Sequence, residues 1–332
     1  MPPSTVRRLC TVLLAVAMLL STLPVHAATF TPHIEEYAQG WIDWDQGLIY
    51  GTGRVPLDDK GSSKIKALHA AELVAAGNIV KLASGIHLDD RQTMERLGNG
   101  NFSVKLTAFL RYRDHQRQMV TNVHNPYAEV TLVAPITGVQ GLTAQLLRYL
   151  HGKPLQWQKF PLPDPQHQRA EQADDPWLVI DARQLPAFAQ VKPSLFPKLL
   201  TTSGQKVYDV DRVYQSALSS RGMARYVHST ASAQQLILSE ASPPRSWWQA
   251  LSFVSPAWAA VRQQRPRYIV ATAQKTSGIA RTNLIISTVD ANRLRAEDDA
   301  SEILRQCRVI IVTSAPAGGV EGMRSDQRPL HL

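Results

Sequence analysis

A change in the spacing of apolar residues around the turn at 58–61 constrains the fold of the N-terminal half. From 41 to 55, apolar and polar residues alternate, as in a twisted strand or hairpin. After the turn, apolar residues recur every three or four positions up to Gly85, which predicts a long helix. Two strand-like runs at 118–123 and 128–135 predict a hairpin. We therefore expect a long Ala-rich helix packed on an antiparallel sheet.

Shorter apolar runs dominate the C-terminal half and predict a β-rich domain. The predicted strands lie at 178–182, 198–208 (as strand-turn-strand), 268–273, 284–289 and 308–313. The last two are almost continuously apolar, which is typical of strands covered on both faces. Between them, a helix capped by Asp290 is predicted to run to about Gln306, so a right-handed parallel crossover is expected. The predicted fold class is α+β / α/β, with a β-rich C-terminal α/β domain that ends in strand-helix-strand.

A proline-rich and polar stretch between the two halves predicts a linker. Pro161, Pro163 and Pro165 precede a run of glutamines and acidic residues. The predicted boundaries are 28–158 for the N-terminal α/β domain, 159–176 for the linker, 177–314 for the C-terminal domain, 241–266 for an insertion within it and 315–332 for a disordered tail. A chain of 332 residues is long enough for two such domains.

The first 27 residues have the pattern of a secretory signal peptide. Arg7 and Arg8 precede an apolar run at 13–20, and small residues favour cleavage after Ala27. We therefore expect a periplasmic protein, soluble or peripheral to the outer membrane, and no lipid anchor because Cys10 precedes the apolar run. Loss of the two arginines lowers the net charge from +9 to +7.

Short motifs along the chain carry a resemblance to a bacterial envelope family. In the N-terminal half they are Gly51-Thr52-Gly53, the Ala-rich helix that ends in Gly85-Ile86-His87-Leu88-Asp89, and Pro135-Ile136-Thr137-Gly138 followed by Gly141-Leu142. In the C-terminal half they include Leu178-Val179-Ile180-Asp181-Ala182-Arg183 and Cys307-Arg308-Val309-Ile310-Ile311-Val312. In order and spacing, these motifs resemble the Lpp-twenty lipoprotein domain, which is also similar to the N-terminal domain of the flagellar assembly protein T. The resemblance implies a non-enzymatic component of flagellar or outer-membrane assemblies, with an α/β N-terminal domain and no inherited catalytic residues.

The insertion at 241–266 concentrates aromatic and cationic residues. The candidate interaction residues are Trp247, Trp248, Phe253, Trp258 and Arg262. Tryptophan and arginine are enriched in binding hot spots, and tryptophan also at membrane interfaces. Three interpretations stay open: the segment folds back on its own domain, docks a protein partner, or contacts a membrane.

Two pairs of charged residues are further candidates. Asp181 and Arg183 lie on the same side of a predicted strand, where they either line a polar pocket or form a structural ion pair. Asp43 and Asp45 lack the further ligands of a calcium loop, so they are interpreted as solvated turn carboxylates.

Motifs for catalysis or cofactor binding are missing from the sequence. The histidines lack zinc-site spacing, and Gly51-Thr52-Gly53 lacks the rest of a nucleotide-binding motif. Cys307, the one cysteine left after signal cleavage, precedes an apolar strand, where a buried inert thiol is expected. We therefore expect no disulfide, metal or cofactor, no nucleic acid and no small-molecule substrate.

These features predict a non-enzymatic periplasmic or cell-envelope structural or assembly protein that acts through envelope proteins or a membrane surface. The positive charge keeps open a binding module for an anionic envelope polymer, peptidoglycan or lipopolysaccharide. An unrecognised hydrolase is the third hypothesis, and it requires polar groups that converge in a cleft. The sequence leaves the partner and the oligomeric state open.

Overall fold

The structure, a computed structural model, describes residues 32–57, 63–98, 110–150, 160–166, 175–241 and 267–315. The predicted signal peptide and all but the first residue of both the predicted insertion and the predicted tail lie outside the described residues.

The N-terminal half is an antiparallel sheet with one long helix on it. Its elements are β1 (Ile34–Tyr37), β2 (Gly40–Asp43), β3 (Leu48–Pro56), α1 (Ser63–Gly85), β4 (Arg113–Val120), β5 (Tyr127–Pro135) and α2 (Leu142–Leu150). The strands pair in the order β1-β2-β3-β5-β4, and α1 lies across β3 and β5. The predicted Ala-rich helix on an antiparallel sheet is confirmed, and it ends at Gly85 as expected.

Small residues allow α1 to lie unusually close to β3. A Cβ atom placed on Gly51 would lie 2.6 Å from the carbonyl oxygen of Ala75, and one on Gly53 would lie 2.1 Å from that of Ala71. Both distances are far below normal van der Waals contact. Glycine is therefore required on the strand, and alanine on the helix lets the two backbones approach.

The C-terminal half forms a mixed sheet. Its elements are β6 (Trp177–Asp181), β7 (Leu199–Thr201), β8 (Lys206–Tyr208), α3 (Gln215–Arg221), β9 (Arg225–Val227), α4 (Thr230–Ala241), β10 (Tyr268–Ser277), β11 (Asn283–Ile286), α5 (Thr288–Ser301) and β12 (Val309–Val312). The strand order is β8-β7-β11-β10-β6-β12-β9. In this sheet β10, β6, β12 and β9 run parallel, and β11 is antiparallel to β10. Together the two sheets confirm the predicted α+β / α/β class.

The predicted parallel crossover from β11 to β12 is wrong. The two strands have β10 and β6 between them and run in opposite directions. The reason is the tight turn after β10, in which Gly278 and Arg281 have φ angles of 85° and 58° and return the chain antiparallel. Helix α5 then carries the chain across the sheet.

The start of α5 also differs from the prediction. Ser287, rather than Asp290, is the N-cap residue, and its hydroxyl accepts a hydrogen bond from the backbone N–H of Asp290 at 3.0 Å. Asp290 is still placed favourably, because a carboxylate in the first turn complements the helix dipole. The helix ends at Ser301, with Glu302 in the left-handed conformation.

The mixed sheet is buried on both faces. One face joins a continuous apolar core that includes Ile79 of α1 and Leu178 of β6. The other packs against α4, with Val179 and Ile310 facing Ile237. All four residues of β12 are buried, as its apolar sequence predicts, and Cys307 just before it is a buried free thiol. None of the described helices is long and apolar enough to cross a membrane.

Parts of the proline-rich stretch are tightly bound to the C-terminal half. Leu162 exchanges backbone hydrogen bonds with Val213 and Gln215 at 2.7 and 3.0 Å. Asp175 forms a buried ion pair with Arg308, with 3.1 Å between the carboxylate oxygen and the guanidinium nitrogen. Residues 31–332 belong to one compact unit.

Candidate functional site

A row of aromatic rings lies on the face of the antiparallel sheet opposite α1. Because side chains alternate along a strand and Gly51 and Gly53 face α1, Tyr50 of β3 points to the other side. Trp41 of β2 stacks on Tyr50, with ring centroids 4.6 Å apart and planes at 12°. The edge of the His115 ring meets Tyr50 at 4.9 Å and 74°. The three rings form one platform across β2, β3 and β4, in which Tyr50 is buried, Trp41 is half-buried and His115 is exposed.

A guanidinium group lies beside this platform. Arg54 lies over the ring of Tyr127 at 5.1 Å and forms an ion pair with Glu129. The side chain of Arg54 is 62% exposed, whereas that of Glu129 is 12% exposed, so the cation is the part presented to solvent. We call Trp41, Tyr50, Arg54, His115 and Tyr127 the aromatic face. Such a surface can stack on flat groups and bind carboxylate or phosphate through arginine.

A bulge in the edge strand places His115 on this face. Asp114 pairs with Leu132 and Gln116 with Thr131, so His115 is an extra residue between two regular pairs. On the α1 side, Arg117 binds both Asp114 and Glu72 of the helix, at 2.8 and 3.0 Å. The edge strand is thus fastened to α1 while its exposed histidine meets Tyr50.

A second cluster of polar groups joins the two sheets. The rings of His33 and His228 stack at 4.1 Å, and the Thr313 hydroxyl lies 3.1 and 3.0 Å from their Nδ1 atoms. His228 and Thr313 follow β9 and β12, at the carboxyl ends of parallel strands, where α/β proteins usually bind ligands. Burial, with a smaller contribution from His228, lowers the pKa of His33 to about 3, and burial also lowers the pKa of His228. Both rings are therefore neutral near pH 7.

Buried carboxylates and an arginine complete this joint. Asp45 accepts the backbone N–H of His33 at 2.6 Å, and Arg225 donates to the backbone carbonyl of Asp45 at 3.1 Å. Burial and the nearby Asp43 raise the pKa of Asp45 to about 7. The interpretation of Asp43 and Asp45 as solvated carboxylates is wrong, because they are only 5% and 6% exposed. Arg225 of β9 lies against the turn between β2 and β3, which contains Asp45.

A small cavity lies beside Arg225. It is lined in part by Trp44, Thr143 and Ser194, and its free volume of about 10 Å³ is close to that of one water molecule. Within the described part of the chain, the indole N–H of Trp44 and the hydroxyls of Thr143 and Ser194 have no hydrogen-bond partner. A bridging water suits this set of donors and acceptors, whereas an organic substrate is too large for the cavity.

The structure places Asp181 and Arg183 in an ion pair with each other. The guanidinium donates to both carboxylate oxygens at 2.9 and 2.6 Å, and the backbone N–H of Arg183 donates to Asp181 at 3.1 Å. These hydrogen bonds hold the pKa of Asp181 below its usual range. The other predicted site residues, Trp247, Trp248, Phe253, Trp258 and Arg262, lie outside the described residues.

Sequence reasoning missed the aromatic face. The alternation of Tyr50, Thr52 and Arg54 with Gly51 and Gly53 is a signal that one side of the strand carries the large and polar side chains. Among the described residues, no group of three or more His, Cys, Asp and Glu side chains is arranged to hold a metal ion.

A protein-family model matches the C-terminal half of the chain. Residues 177–245 and 251–315 match the family model described as Treponema pallidum Tp0624, second domain. This match begins at the first residue of β6 and ends shortly after β12. No curated protein matches the chain. The resemblance to the Lpp-twenty domain and to the flagellar assembly protein T stays a prediction.

Proposed function

We propose that the chain is a non-enzymatic structural or assembly protein of the bacterial cell envelope that docks a partner protein on its aromatic face. The observation that carries this proposal is the continuous platform of Trp41, Tyr50 and His115 beside the exposed guanidinium of Arg54. Tryptophan, tyrosine and arginine are the residue types that contribute most to protein–protein affinity.

The rigidity of the platform supports a binding role. Trp41 and Tyr50 are fixed because their rings stack across the paired strands β2 and β3. Between Tyr50 and Arg54 on β3, the hydroxyl of Thr52 is hydrogen-bonded to that of Thr131 at 3.2 Å. Side chains that are already ordered lose little conformational freedom when a partner covers them. Because Tyr50 is buried and Trp41 is half-buried, a partner would make its contacts mainly with the exposed His115, the open part of Trp41 and the guanidinium of Arg54.

The use of the buried polar groups supports a role without covalent chemistry. His33, His228 and Thr313 contact one another, and Asp45 and Arg225 connect the turn after β2 to β9. These contacts hold the two sheets together, and the adjacent cavity has space for about one water molecule. His33 and Asp45, whose pKa values are strongly perturbed, thus have a structural use.

Site-specific photocrosslinking in intact cells tests the proposal. A photoreactive residue replaces Gln116, which is exposed and pairs with Thr131 on the aromatic face, or Lys81, which is exposed on α1. We expect a protein adduct of defined mass from position 116 only, and its loss when Arg54→Ala and His115→Ala are combined. Adducts that are identical at both positions, or that survive the double substitution, would contradict the proposal.

An anionic polymer such as peptidoglycan is the second candidate ligand. Arg111, Tyr112 and Arg113 are exposed at the start of β4, next to His115, and add positive charge to the aromatic face. Retention on purified peptidoglycan at increasing salt separates the two functions. Polymer binding falls steeply as salt screens the charges and is weakened by Arg111→Ser with Arg113→Ser, whereas protein docking on the rings and on the single cation Arg54 changes much less with either.

A further inference from the structure

We propose that a second surface, formed by the tips around Phe188 and Ile279, binds an anionic lipid surface. Phe188 lies in a short 3-10 helix (Ala187–Ala189) and is 79% exposed, and Ile279 lies in the turn between β10 and β11 and is 89% exposed. Large apolar side chains with this much exposure at neighbouring tips are typical of sites that contact another phase or molecule. We call this surface the apolar tip.

The two segments of the apolar tip are held together by hydrogen bonds. The guanidinium of Arg281 donates to the carbonyl oxygen of Phe188, and the Thr276 hydroxyl donates to that of Ala189 at 3.0 Å. The backbone N–H of Lys192 donates to the carbonyl of Arg281 at 3.1 Å. Phe188 and Ile279 therefore project from one connected surface and not from two independent loops.

The turn that contains Ile279 prevents its side chain from pointing into the protein. Gly278 has a φ of 85°, and a Cβ atom at this position would lie 2.3 Å from the Cβ of Asp90. The backbone N–H of Ala280 donates to the carbonyl oxygen of Asp90 at 3.1 Å. Because the turn is pressed against residue 90 on its inner side, Ile279 points to solvent.

The charges around the apolar tip favour an anionic surface. The stretches 182–198 and 273–282 contain five cations and no carboxylate: Arg183, Lys192, Lys198, Lys275 and Arg281. Two carboxylates next to these stretches form ion pairs, Asp181 with Arg183 at 2.6 Å and Asp90 with Lys198 at 3.4 Å. Asp89 instead accepts the backbone N–H groups of Arg91 and Gln92. In the described part of the chain, Lys192, Lys275 and Arg281 have no carboxylate within 4.0 Å. The surface therefore carries excess positive charge around its apolar residues.

Protruding apolar residues ringed by cations match the chemistry of a membrane interface. The apolar side chains enter the boundary between headgroups and acyl chains, while lysine and arginine stay at the level of the phosphates. A protein hot spot would instead bring large side chains into a packed and dehydrated centre. The inference rests on the proposed function only for the envelope location. It adds a lipid partner, which binds a surface other than the aromatic face.

Vesicle co-sedimentation of the chain without its predicted signal peptide tests the inference. Vesicles of phosphatidylcholine containing phosphatidylglycerol are compared with vesicles of phosphatidylcholine alone. We expect binding to the anionic vesicles and at least about tenfold weaker partitioning for the double variant Phe188→Ser with Ile279→Ser. Lys192→Ser with Lys275→Ser should also weaken binding and reduce its dependence on salt.

Val289→Ser is the matched control, since Val289 is 78% exposed but lies beyond β11, at the opposite end of the hairpin from Ile279. It should bind vesicles as the wild type does. The inference would be overturned if the wild-type protein did not bind anionic vesicles, or if the Phe188/Ile279 double variant bound them as well as the wild type does. Arg54→Ala with His115→Ala, which tests the proposed function, should leave vesicle binding unchanged, so the two failures are distinguishable.

Discussion

The imidazole rings of His33 and His228 lie face to face, 4.1 Å apart and inclined by 16°. His33 directly precedes β1 of the antiparallel sheet, whereas His228 directly follows β9 at the edge of the mixed sheet. Their stack is therefore a contact between the two halves of the chain, and Thr313 reaches both rings. This polar joint adds to the apolar core that the two halves share.

Thr313→Val should destabilise the protein by about 1–3 kcal/mol, because both Nδ1 atoms lose a hydrogen-bonding group in a buried site. Urea unfolding measures the change. Thr272→Val on β10 is the control, because Thr272 is exposed and its substitution should change stability by less than about 0.5 kcal/mol. Equal stability of the two variants would show that the hydroxyl does not support the joint.

Asp45→Asn should change how stability depends on pH. Because the pKa of Asp45 is raised from 3.8 to about 7, the folded chain holds a proton in this range that the unfolded chain releases. The resulting stabilisation is complete below pH 3.8 and is lost as the pH rises through about 7. His33 acts in the opposite sense: its pKa falls from 6.5 to about 3, so its contribution is present above pH 6.5 and is lost as the pH falls to about 3.

The variant removes the Asp45 contribution and keeps that of His33. Its stability relative to wild type should therefore rise between pH 3.8 and about 7, by up to about 1.4 kcal/mol per pH unit. Unfolding titrations at a series of pH values measure this slope. Asp299→Asn is the control, since the Asp299 side chain is 79% exposed, and a slope equal to that of the control would refute the prediction.

Gly53→Ala should destabilise the protein by about 1–3 kcal/mol or more, because the new methyl group collides with the backbone of α1 at Ala71 and Ala75. Gly77→Ala is the matched comparison within α1. No atom lies within 4 Å of a Cβ placed on Gly77, so alanine there should stabilise the helix by up to about 1 kcal/mol. Thermal unfolding of both variants checks the opposite signs.

Asp175→Asn should destabilise the protein by about 3–5 kcal/mol, since it removes the buried negative charge that forms an ion pair with the guanidinium of Arg308. Asp175→Leu combined with Arg308→Met removes both charges and should recover most of that loss. Urea unfolding of the single and double variants forms the test. A double variant that is no more stable than Asp175→Asn would contradict the role of the charge pair.

Local patterns predicted the elements of this fold better than their arrangement. The spacing of apolar residues in α1 and the end of this helix at Gly85 could be predicted from the sequence, because burial on one face of a helix repeats along the chain. The direction of β11 relative to β12 could not be predicted, because it depends on which strands lie between them.

The candidate sites depend on similar long-range information. Asp45 was expected at the surface because nothing near it in sequence indicates that Arg225, 180 residues away, contacts it. The stack of Trp41 on Tyr50 requires the register between β2 and β3, and the contact of His115 requires a bulge. Alternation indicates a side of a strand, but pairing decides which side chains meet.

The burial of Cys307 has a consequence for how the chain matures. Burial raises the pKa of its thiol to about 12, so almost no reactive thiolate exists once β12 is in place. In an oxidising compartment the sulfur is open to attack only while the chain is still unfolded. If the chain folds in such a compartment, completion of the mixed sheet protects the thiol, and the speed of folding sets the fraction of molecules that escape oxidation.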